Sequence, residues 1–265
     1  ASSPLNRLVY VRNQKAGSCT TGRNFKRMAE ELGGLVDGVQ FIEVPGAHFD
    51  PTHDFVFTFV HNPIHTAFSG YLQTSLRRNK YQFLPKDVAL HMPCRPNFKV
   101  DRYAKFLDQM AAGRNLGSVA YHAFPQALKI DFLLPRTGRR GNKGGSNLSF
   151  PYLHSTTERS GITSPPEEPP SFRYDVIGVL ANFSSHWNTV EHLVGATPRV
   201  PPEVDAKSQH TTKNSPCSFD LAQYPELVRK MCRLYAADFV CFGFDLPAPC
   251  KGMEEDMGLA VAPRR

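Results

Sequence analysis

Short apolar runs recur along the chain, and longer segments with helical spacing of apolar residues separate them. The runs are residues 8–11, 39–44, 55–60 and 175–180. Their length and their content of valine, isoleucine and phenylalanine predict strands that are buried on both faces of a parallel sheet. Because helical segments lie between the strands, the pattern predicts an α/β fold with right-handed crossovers.

The helical spacing predicts where the helices of this fold lie. The segments are residues 20–32, 64–77, 101–112, 119–128, 185–194 and 221–237. Asn62 and Pro63 suit a cap and first-turn pair for the second of them. Basic, glycine-rich and proline-rich stretches at 136–171 and 197–218 predict surface loops. No repeat or second domain is evident, so we expect a single domain over residues 1–265 with its core at about 8–244.

The segment after the first apolar run has the layout of an anion-binding loop that leads into a helix. Lys15 could place a cation beside a phosphate, and Gly17 lets the backbone come close. Ser18, Thr20 and Thr21 add hydroxyl donors at the helix N-terminus, where free N–H groups carry partial positive charge. The pattern G-x-x-x-x-G-K-[ST] of P-loop enzymes is absent. An ordinary strand-to-helix turn with a capping serine is the competing interpretation.

Charge and composition favour an anionic ligand without defining it. The net charge is +7, the pI is near 9.1, and hydrophobic and charged residues make up 41% and 21% of the chain. These values are typical of a globular protein with a basic surface. No apolar run approaches the ~18 residues of a membrane span. The chain starts at Ala1, so an N-terminal anchor or signal could precede it.

The cysteines and sequons bear on the compartment. Six cysteines fit no C-x-x-C zinc pattern, and four of them lie in the last fifty residues. That clustering suits either disulfides in a secretory lumen or buried thiols. Sequons at Asn147 and Asn182 are compatible with a lumenal protein, although such triplets often arise by chance.

Two segments resemble the Golgi-type carbohydrate sulfotransferases, especially the branch with heparan sulfate 2-O-sulfotransferase and the chondroitin 4-O-sulfotransferases. The 5′-phosphosulfate loop of that family reads roughly R-x-P-K-x-x-S-x-[ST], and residues 12–20 read RNQKAGSCT. Its 3′-phosphate segment reads roughly F-x-F-V-R-D-P-x-x-R-x-x-S-x-Y, and residues 57–71 read FTFVHNPIHTAFSGY. The stretches YHAFPQ, YDVIGVLANFSSHWNTVEHLVG and LYAADFVCFGF also match family segments in order. The resemblance therefore spans residues 8–244.

The chain departs from the family pattern at several positions. His61 stands where the family has the 3′-phosphate arginine, and Asn62 stands for the following aspartate. His65 replaces the second arginine and Gln14 replaces the loop proline. The glutamate after the Y-D-x-I-G segment is absent, with Asn182 nearby. The resemblance is thus to a distant member, whose acceptor cannot be copied from a relative.

The resemblance implies a P-loop-like three-layer fold and a reaction. The donor would be 3′-phosphoadenylyl sulfate (PAPS), the product 3′,5′-bisphosphate would be PAP, and no metal would be needed. Lys15 would neutralise charge on the leaving oxygen. His61 and Ser69 would hold the 3′-phosphate, with Lys213 as the alternative basic residue. The implied residues of the 5′-phosphosulfate loop are Arg12, Lys15, Ala16, Gly17, Ser18, Cys19 and Thr20.

A base must take the proton of the acceptor. His48 matches the histidine of the 2-O-sulfotransferase branch, and an unperturbed histidine titrates near neutral pH. Glu43 is a second candidate near the end of the same strand, and His53 and His122 are further ones. Each of these side chains could instead pack or pair in an ordinary structural role.

The acceptor class stays open at the level of sequence. A carbohydrate is the family default, whereas a hydroxylated or amine-bearing metabolite is the runner-up, because a long basic glycan surface is not evident beyond residues 136–143. A nucleotide- or glycan-binding module without catalysis is the alternative of another class. We expect no nucleic-acid partner and no membrane contact by this domain. The expected compartment is the Golgi lumen, with the cytoplasm as the alternative.

Overall fold

The structure of the protein is a computed structural model. It contains the predicted strands and most of the predicted helices. It describes residues 7–13, 15–31, 35–36, 39–44, 54–76, 89–113, 121–127, 174–194 and 215–257. These residues form two compact units that alternate along the chain. The first unit holds the described residues up to His61, together with Gln126, Ala127 and residues 174–194, and the second unit holds the others.

A five-stranded sheet forms the centre of the first unit. Its strands are β1 (Arg7–Val11), β2 (Leu35–Val36), β3 (Val39–Val44), β4 (Asp54–Val60) and β5 (Val176–Val179). Their order is β2-β3-β1-β4-β5, and neighbouring strands are parallel except for the pair β2–β3. The predicted α/β class is confirmed, and β2 is an addition that the apolar pattern did not predict.

The described α-helices lie close to the predicted positions. They are α1 (Ser18–Glu31), α2 (Pro63–Leu76), α3 (Lys99–Ala111), α4 (Phe183–Leu193), α5 (Pro225–Leu234) and α6 (Ala236–Cys241). The predicted cap of α2 is confirmed, because Asn62 Oδ1 accepts hydrogen bonds from the N–H groups of Ile64 at 3.0 Å and His65 at 3.3 Å. None of the described helices has the length and apolar character that a membrane span requires.

Two of the predicted helices are confirmed only in part, because each predicted segment runs through a proline at which the structure interrupts it. The segment 221–237 is divided into a 3-10 turn at Leu221–Gln223 and the helices α5 and α6. Pro225 opens α5, where its missing N–H and fixed φ fit a first turn but not a helix interior. In the segment 119–128 the described part begins with a 3-10 turn at Tyr121–Ala123, Pro125 follows it, and Gln126 and Ala127 are helical.

The core of the first unit is aromatic. Tyr10, Phe57 and Phe59 project from β1 and β4 and pack with Phe25 of α1 and Trp187 of α4. The ring centroids of Tyr10 and Phe57 lie 5.3 Å apart, and those of Phe57 and Trp187 lie 6.1 Å apart. Because alternate strand residues share a face, α1 and α4 cover the same face of the sheet. Every residue of β4 is buried, as expected for a central parallel strand.

The second unit is helical and has its own core. Helices α2, α3, α5 and α6 contribute to one cluster in which Tyr71 and Tyr103 pack with ring centroids 4.6 Å apart. Burial raises the pKa of Tyr103 and of Tyr235 well above the usual value, so both phenols stay protonated. The hydroxyl of Tyr235 donates a hydrogen bond to the carbonyl of Ala123.

A buried arginine joins the elements of this second core. Arg102 on α3 is fully buried. Its guanidinium donates hydrogen bonds to the carbonyls of Leu90 and Met92, the hydroxyls of Tyr71 and Ser75, and the sulfur of Cys217, at 2.7–3.3 Å. A buried charge is tolerated when such acceptors satisfy it. Arg102 therefore ties the segment before α3 to α2 and to the chain near residue 217.

Two disulfides lie in the second unit. They join Cys94 to Cys217 and Cys232 to Cys250, with Cα–Cα distances of 4.8 Å and 6.5 Å. The remaining cysteines, Cys19 and Cys241, are exposed. Of the two possibilities that the cysteine pattern left open, disulfides rather than buried thiols account for four of the six residues.

Candidate anion-binding site

The connection from β1 to α1 turns through two residues in the left-handed region. The backbone angle φ is 69° at Lys15 and 71° at Gly17. The N–H of Ala16 donates to the carbonyl of Asn13 at 3.4 Å, which closes the turn. Glycine adopts this conformation freely, whereas for lysine it costs about 1 kcal/mol. Turns of this kind direct successive backbone N–H groups to one side and form concavities that bind anions.

The N-terminus of α1 extends this row of donors. The first turn of the helix closes with the N–H of Thr21 donating to the carbonyl of Gly17 at 2.9 Å. The amides of Ser18, Cys19 and Thr20 precede that bond, at the positions where helix amides lack intrahelical partners. The hydroxyl of Thr21 is buried and also donates to the carbonyl of Gly17, at 3.1 Å. It therefore serves the turn itself, and not the ligand contact that the sequence suggested.

Gly17 is favoured here by its φ angle, and it also lies close to the side chain of Leu180. A Cβ atom at this position would lie 2.4 Å from Cδ1 of Leu180. Leu180 opens the 3-10 turn Leu180–Asn182 that follows β5. The loop thus lies beside the turn that follows β5, and a side chain at residue 17 would require the Leu180 side chain to shift.

A pair of buried amide side chains joins the end of β1 to the end of β4. Asn13 Nδ2 donates to the carbonyl of Phe59 at 3.0 Å and to Gln126 Oε1 at 3.1 Å. Gln126 Oε1 also accepts from the N–H of His61 at 2.9 Å, and Gln126 Nε2 donates to the carbonyl of His61 at 2.6 Å. Both amides are at most 1% exposed. Because water does not compete for these bonds, they hold the start of the loop beside His61.

The sheet topology brings the loop and His61 to one place. β1 and β4 are neighbours, and the chain leaves β1 towards β3 on one side and leaves β4 towards β5 on the other. In open α/β sheets, ligands bind outside the carboxyl ends of the strands at such a switch point. The loop at Lys15 follows β1 and His61 follows β4, so both lie at this point.

The described side chains at the switch point suit an anion. Arg12 is exposed and Lys15 and His61 are half-buried. None of the described loop residues is acidic. Backbone N–H groups, hydroxyls and cationic side chains are the donors that phosphate and sulfate require. Within the described part of the chain, no three His, Cys, Asp or Glu side chains group as metal ligands would.

The other predicted residues belong to other elements or lie outside the described residues. Ser69 is half-buried on α2, in the second unit. The next residue, Gly70, approaches the turn at His122 so closely that a Cβ would lie 2.3 Å from the carbonyl oxygen of His122. His122 is half-buried in that turn. His48, His53 and Lys213 lie outside the described residues, and so does the side chain of Glu43 on β3; their roles stay predictions.

Sequence reasoning assigned no role to Asn13 or Gln126. Gln126 ends one of the stretches that carry the family resemblance, and Asn13 fills a position that the family loop leaves variable. The two side chains are 113 residues apart in sequence. A polar amide directly after a buried strand was the available signal, but nothing in the sequence pairs one such amide with another.

Comparison of the chain with protein-family models, with curated proteins and with solved structures gives no match.

Proposed function

We propose that this protein is a sulfotransferase with a P-loop-like fold that moves a sulfuryl group from PAPS to an acceptor hydroxyl or amine. The observation that carries the proposal is the left-handed turn at Lys15 and Gly17, between a central parallel strand and a helix N-terminus at the switch point of the sheet. The family motifs, which occur in order over residues 8–244, support PAPS as the anion that the loop binds.

In this proposal the loop holds the 5′-phosphosulfate. The backbone N–H groups of residues 16–20 bind the phosphate oxygens, with Ser18 and Thr20 as additional hydroxyl donors. Lys15 lies beside the bridging oxygen, and the exposed Arg12 adds positive charge at the rim. His61 and Ser69 hold the 3′-phosphate, and Lys213 is the alternative for that contact.

The transfer resembles phosphoryl transfer, in which positioning and charge stabilisation supply most of the rate. The acceptor oxygen or nitrogen attacks sulfur in line with the bridging oxygen. A new bond to sulfur forms as the bond from sulfur to the 5′-phosphate oxygen breaks, and PAP leaves. Lys15 stabilises the negative charge on the departing oxygen, and a base, for which we propose His48, takes the acceptor proton.

We propose a carbohydrate acceptor and a lumenal location. The disulfides Cys94–Cys217 and Cys232–Cys250 support an oxidising compartment, since such bonds are rare in the cytosol. The carbohydrate acceptor follows from the family resemblance alone. The Golgi lumen is the compartment that fits both the disulfides and a carbohydrate acceptor.

Nucleotide binding can be tested with a thiol inside the loop. Cys19 is exposed at the start of α1, and the exposed Cys241 lies on α6 in the second unit and serves as a control in the same molecule. We expect PAP to slow alkylation of Cys19 and to leave alkylation of Cys241 unchanged. Adenosine 5′-phosphate, which lacks the 3′-phosphate, should protect only at higher concentration. Equal alkylation of Cys19 with and without PAP would contradict the proposal.

Catalysis needs a separate measurement. Incubation with sulfur-labelled PAPS and a panel of glycans and hydroxylated or amine metabolites should yield a labelled glycan. A labelled metabolite instead would keep the reaction and change the acceptor class. Protection of Cys19 by PAP without any labelled product would show a binding module, and the proposed transfer would then be wrong.

A further inference from the structure

A glycosylation sequon stands at the start of α4, outside the anion-binding loop. Asn182, Phe183 and Ser184 form the N-x-S triplet, and its middle residue is not proline. Asn182 and Ser184 are exposed, whereas Phe183 is 4% exposed and packs in the aromatic core. Its ring centroid lies 4.8 Å from that of Phe59. The core thus anchors the middle of the triplet and leaves both recognition residues at the surface.

The side-chain amide of Asn182 has no part in capping the helix. Asn182 is the N-cap residue of α4, with φ −111° and ψ 32°, and its side chain makes no cap hydrogen bond. Asparagine at this position commonly accepts a hydrogen bond from the first turn, and its loss costs about 1 kcal/mol. A cap bond would use Oδ1, whereas a glycan is attached to Nδ2, and in this structure neither atom takes part in a cap bond. The folded structure therefore accommodates a modified Asn182 without loss of helix capping.

We propose that Asn182 carries an N-linked glycan. The amide nitrogen attacks the anomeric carbon of a lipid-linked oligosaccharide pyrophosphate, and the new nitrogen–carbon bond forms as the carbon–oxygen bond to the pyrophosphate breaks. The lipid pyrophosphate leaves, and a base takes one proton from the amide nitrogen. The donor belongs to the secretory lumen, so the inference rests on the proposed lumenal location and is independent of sulfuryl transfer.

Asn182 follows β5 and the anion-binding loop follows β1, so the glycan is attached at the carboxyl ends of the parallel strands, as the loop is. Asn182 lies two residues after Leu180, the side chain against which Gly17 packs. A glycan is bulky and hydrated, so at this position it lies at the surface near the loop and increases the solubility of this part of the protein. Ala181 and Asn182 are both exposed, which leaves the first sugar free of the aromatic core.

The test uses the full chain made in the secretory pathway of a eukaryotic cell. Treatment with peptide N-glycosidase in oxygen-18 water converts a glycosylated asparagine into an isotopically labelled aspartate, which mass spectrometry locates. We expect the label at residue 182. Asn182→Gln and Ser184→Ala should each lower the apparent mass on a denaturing gel by the mass of one glycan. Ser184→Thr keeps the triplet and should run at the wild-type position. The other sequon, at Asn147, is scored separately in the same digest.

The wild-type digest decides the matter even if a variant fails to fold. An unlabelled residue 182 in protein whose two disulfides have formed would overturn the proposal, because those bonds show passage through the oxidising lumen. Such a result would leave the protection of Cys19 by PAP untouched. The glycan and the sulfotransferase proposals therefore fail separately.

Discussion

Lys15 combines a positive charge with a backbone conformation that lysine rarely adopts. Its φ of 69° costs about 1 kcal/mol relative to the ordinary helical region. Such a residue persists because the surrounding turn determines its conformation, and residues of this kind cluster at binding sites. The charge and the conformation can be separated by substitution, since glycine adopts the same φ without the side chain.

We predict that Lys15→Ala and Lys15→Gly both lower kcat/KM for PAPS by about 10²–10³-fold, the usual loss when a preorganised charge contact is removed. Lys15→Gly should keep its free energy of unfolding within about 1 kcal/mol of wild type, because glycine relieves the left-handed strain. Steady-state kinetics and urea unfolding provide the two readouts. Lys26→Ala, on the exposed face of α1, is the control and should change neither. Normal turnover in Lys15→Gly would remove the ammonium group from the mechanism.

His61 should make nucleotide binding depend on pH. A phosphate dianion favours the protonated form of a neighbouring histidine and so raises its pKa in the complex. The contribution of His61 to affinity is then full below the free-state pKa, ordinarily about 6.5. It fades as the pH rises through the raised value of the complex. PAP affinity should therefore weaken from mildly acidic to alkaline pH more in wild type than in His61→Ala.

Calorimetric titration of PAP across pH measures this dependence. Titration of the phosphate groups is common to all variants, so the difference between profiles isolates the imidazole. His61→Arg should flatten the profile, because its guanidinium stays charged at every working pH. Superimposable profiles for wild type and His61→Ala would assign the 3′-phosphate to another cation.

At the scale of elements, apolar runs predicted the strands, and the errors in the predicted helices lie at prolines. The strands of the parallel sheet were predictable because a buried strand reads as a short continuous run of β-branched and aromatic residues. Helix periodicity worked where the amphipathic pattern was uninterrupted, as in α1 and α3. It failed at Pro125 and Pro225. The helical spacing of apolar residues continues through both positions, but the backbone cannot continue as an α-helix through a proline. The two-residue strand β2 is too short to produce a pattern.

The loop of the candidate site was predictable as a local feature of the chain. A lysine, a glycine and hydroxyls between a strand and a helix suffice to locate the loop, because all of these residues are adjacent in sequence. The left-handed φ of Lys15 was not predictable, since lysine has no preference for it. The bonds from Gln126 to Asn13 and His61 join the ends of two strands, and long-range pairs of this kind become visible only in the folded chain.

Those bonds yield a prediction with a matched control. Gln126→Leu leaves the N–H and the carbonyl of the half-buried His61 without this partner, and the loss of a hydrogen-bond partner costs about 1–3 kcal/mol per group where the group is fully buried. Gln109→Leu removes a comparable buried bond, from Gln109 Oε1 to the N–H of Ala89 at 2.8 Å, in the second unit. We expect both variants to be less stable. Only Gln126→Leu should weaken PAP binding to the folded protein.

Calorimetry at a temperature where both variants are folded compares their PAP affinities, and urea unfolding compares their stabilities. A drop in affinity of at least tenfold for Gln126→Leu, with Gln109→Leu near wild type, would indicate that the amide pair positions the site. Equal affinities would restrict Gln126 to a purely structural role.

At the scale of the whole molecule, the chain passes repeatedly between its two units. The described residues up to His61 belong to the first unit, those from Asn62 to Pro125 to the second, Gln126, Ala127 and residues 174–194 to the first again, and those from residue 215 onward to the second. Each unit is therefore assembled from separated segments, and neither is a contiguous piece of chain. Because of this connectivity we expect the two units to fold cooperatively, and the single domain over residues 1–265 stays a prediction.

Cooperativity can be measured because the probes and the covalent links lie in different units. Both disulfides belong to the second unit, whereas Trp187, the single tryptophan, is buried in the first. The bridge from Cys94 to Cys217 spans 123 residues, so its removal should cost about 3–5 kcal/mol through the entropy of the unfolded chain. We predict that the double variant Cys94→Ser/Cys217→Ser lowers the urea midpoint seen by Trp187 fluorescence as much as the midpoint seen by far-ultraviolet circular dichroism.

The control is Cys19→Ser/Cys241→Ser, which removes two sulfurs that lie outside the disulfides. Both of its midpoints should stay at the wild-type values. A fluorescence midpoint that does not move in Cys94→Ser/Cys217→Ser, while the circular dichroism transition divides into two steps, would mean that the first unit unfolds on its own. The prediction of a single domain would then be wrong. Coincident shifts in both signals would instead show that a bridge in one unit stabilises the tryptophan core of the other, which requires the two units to unfold together.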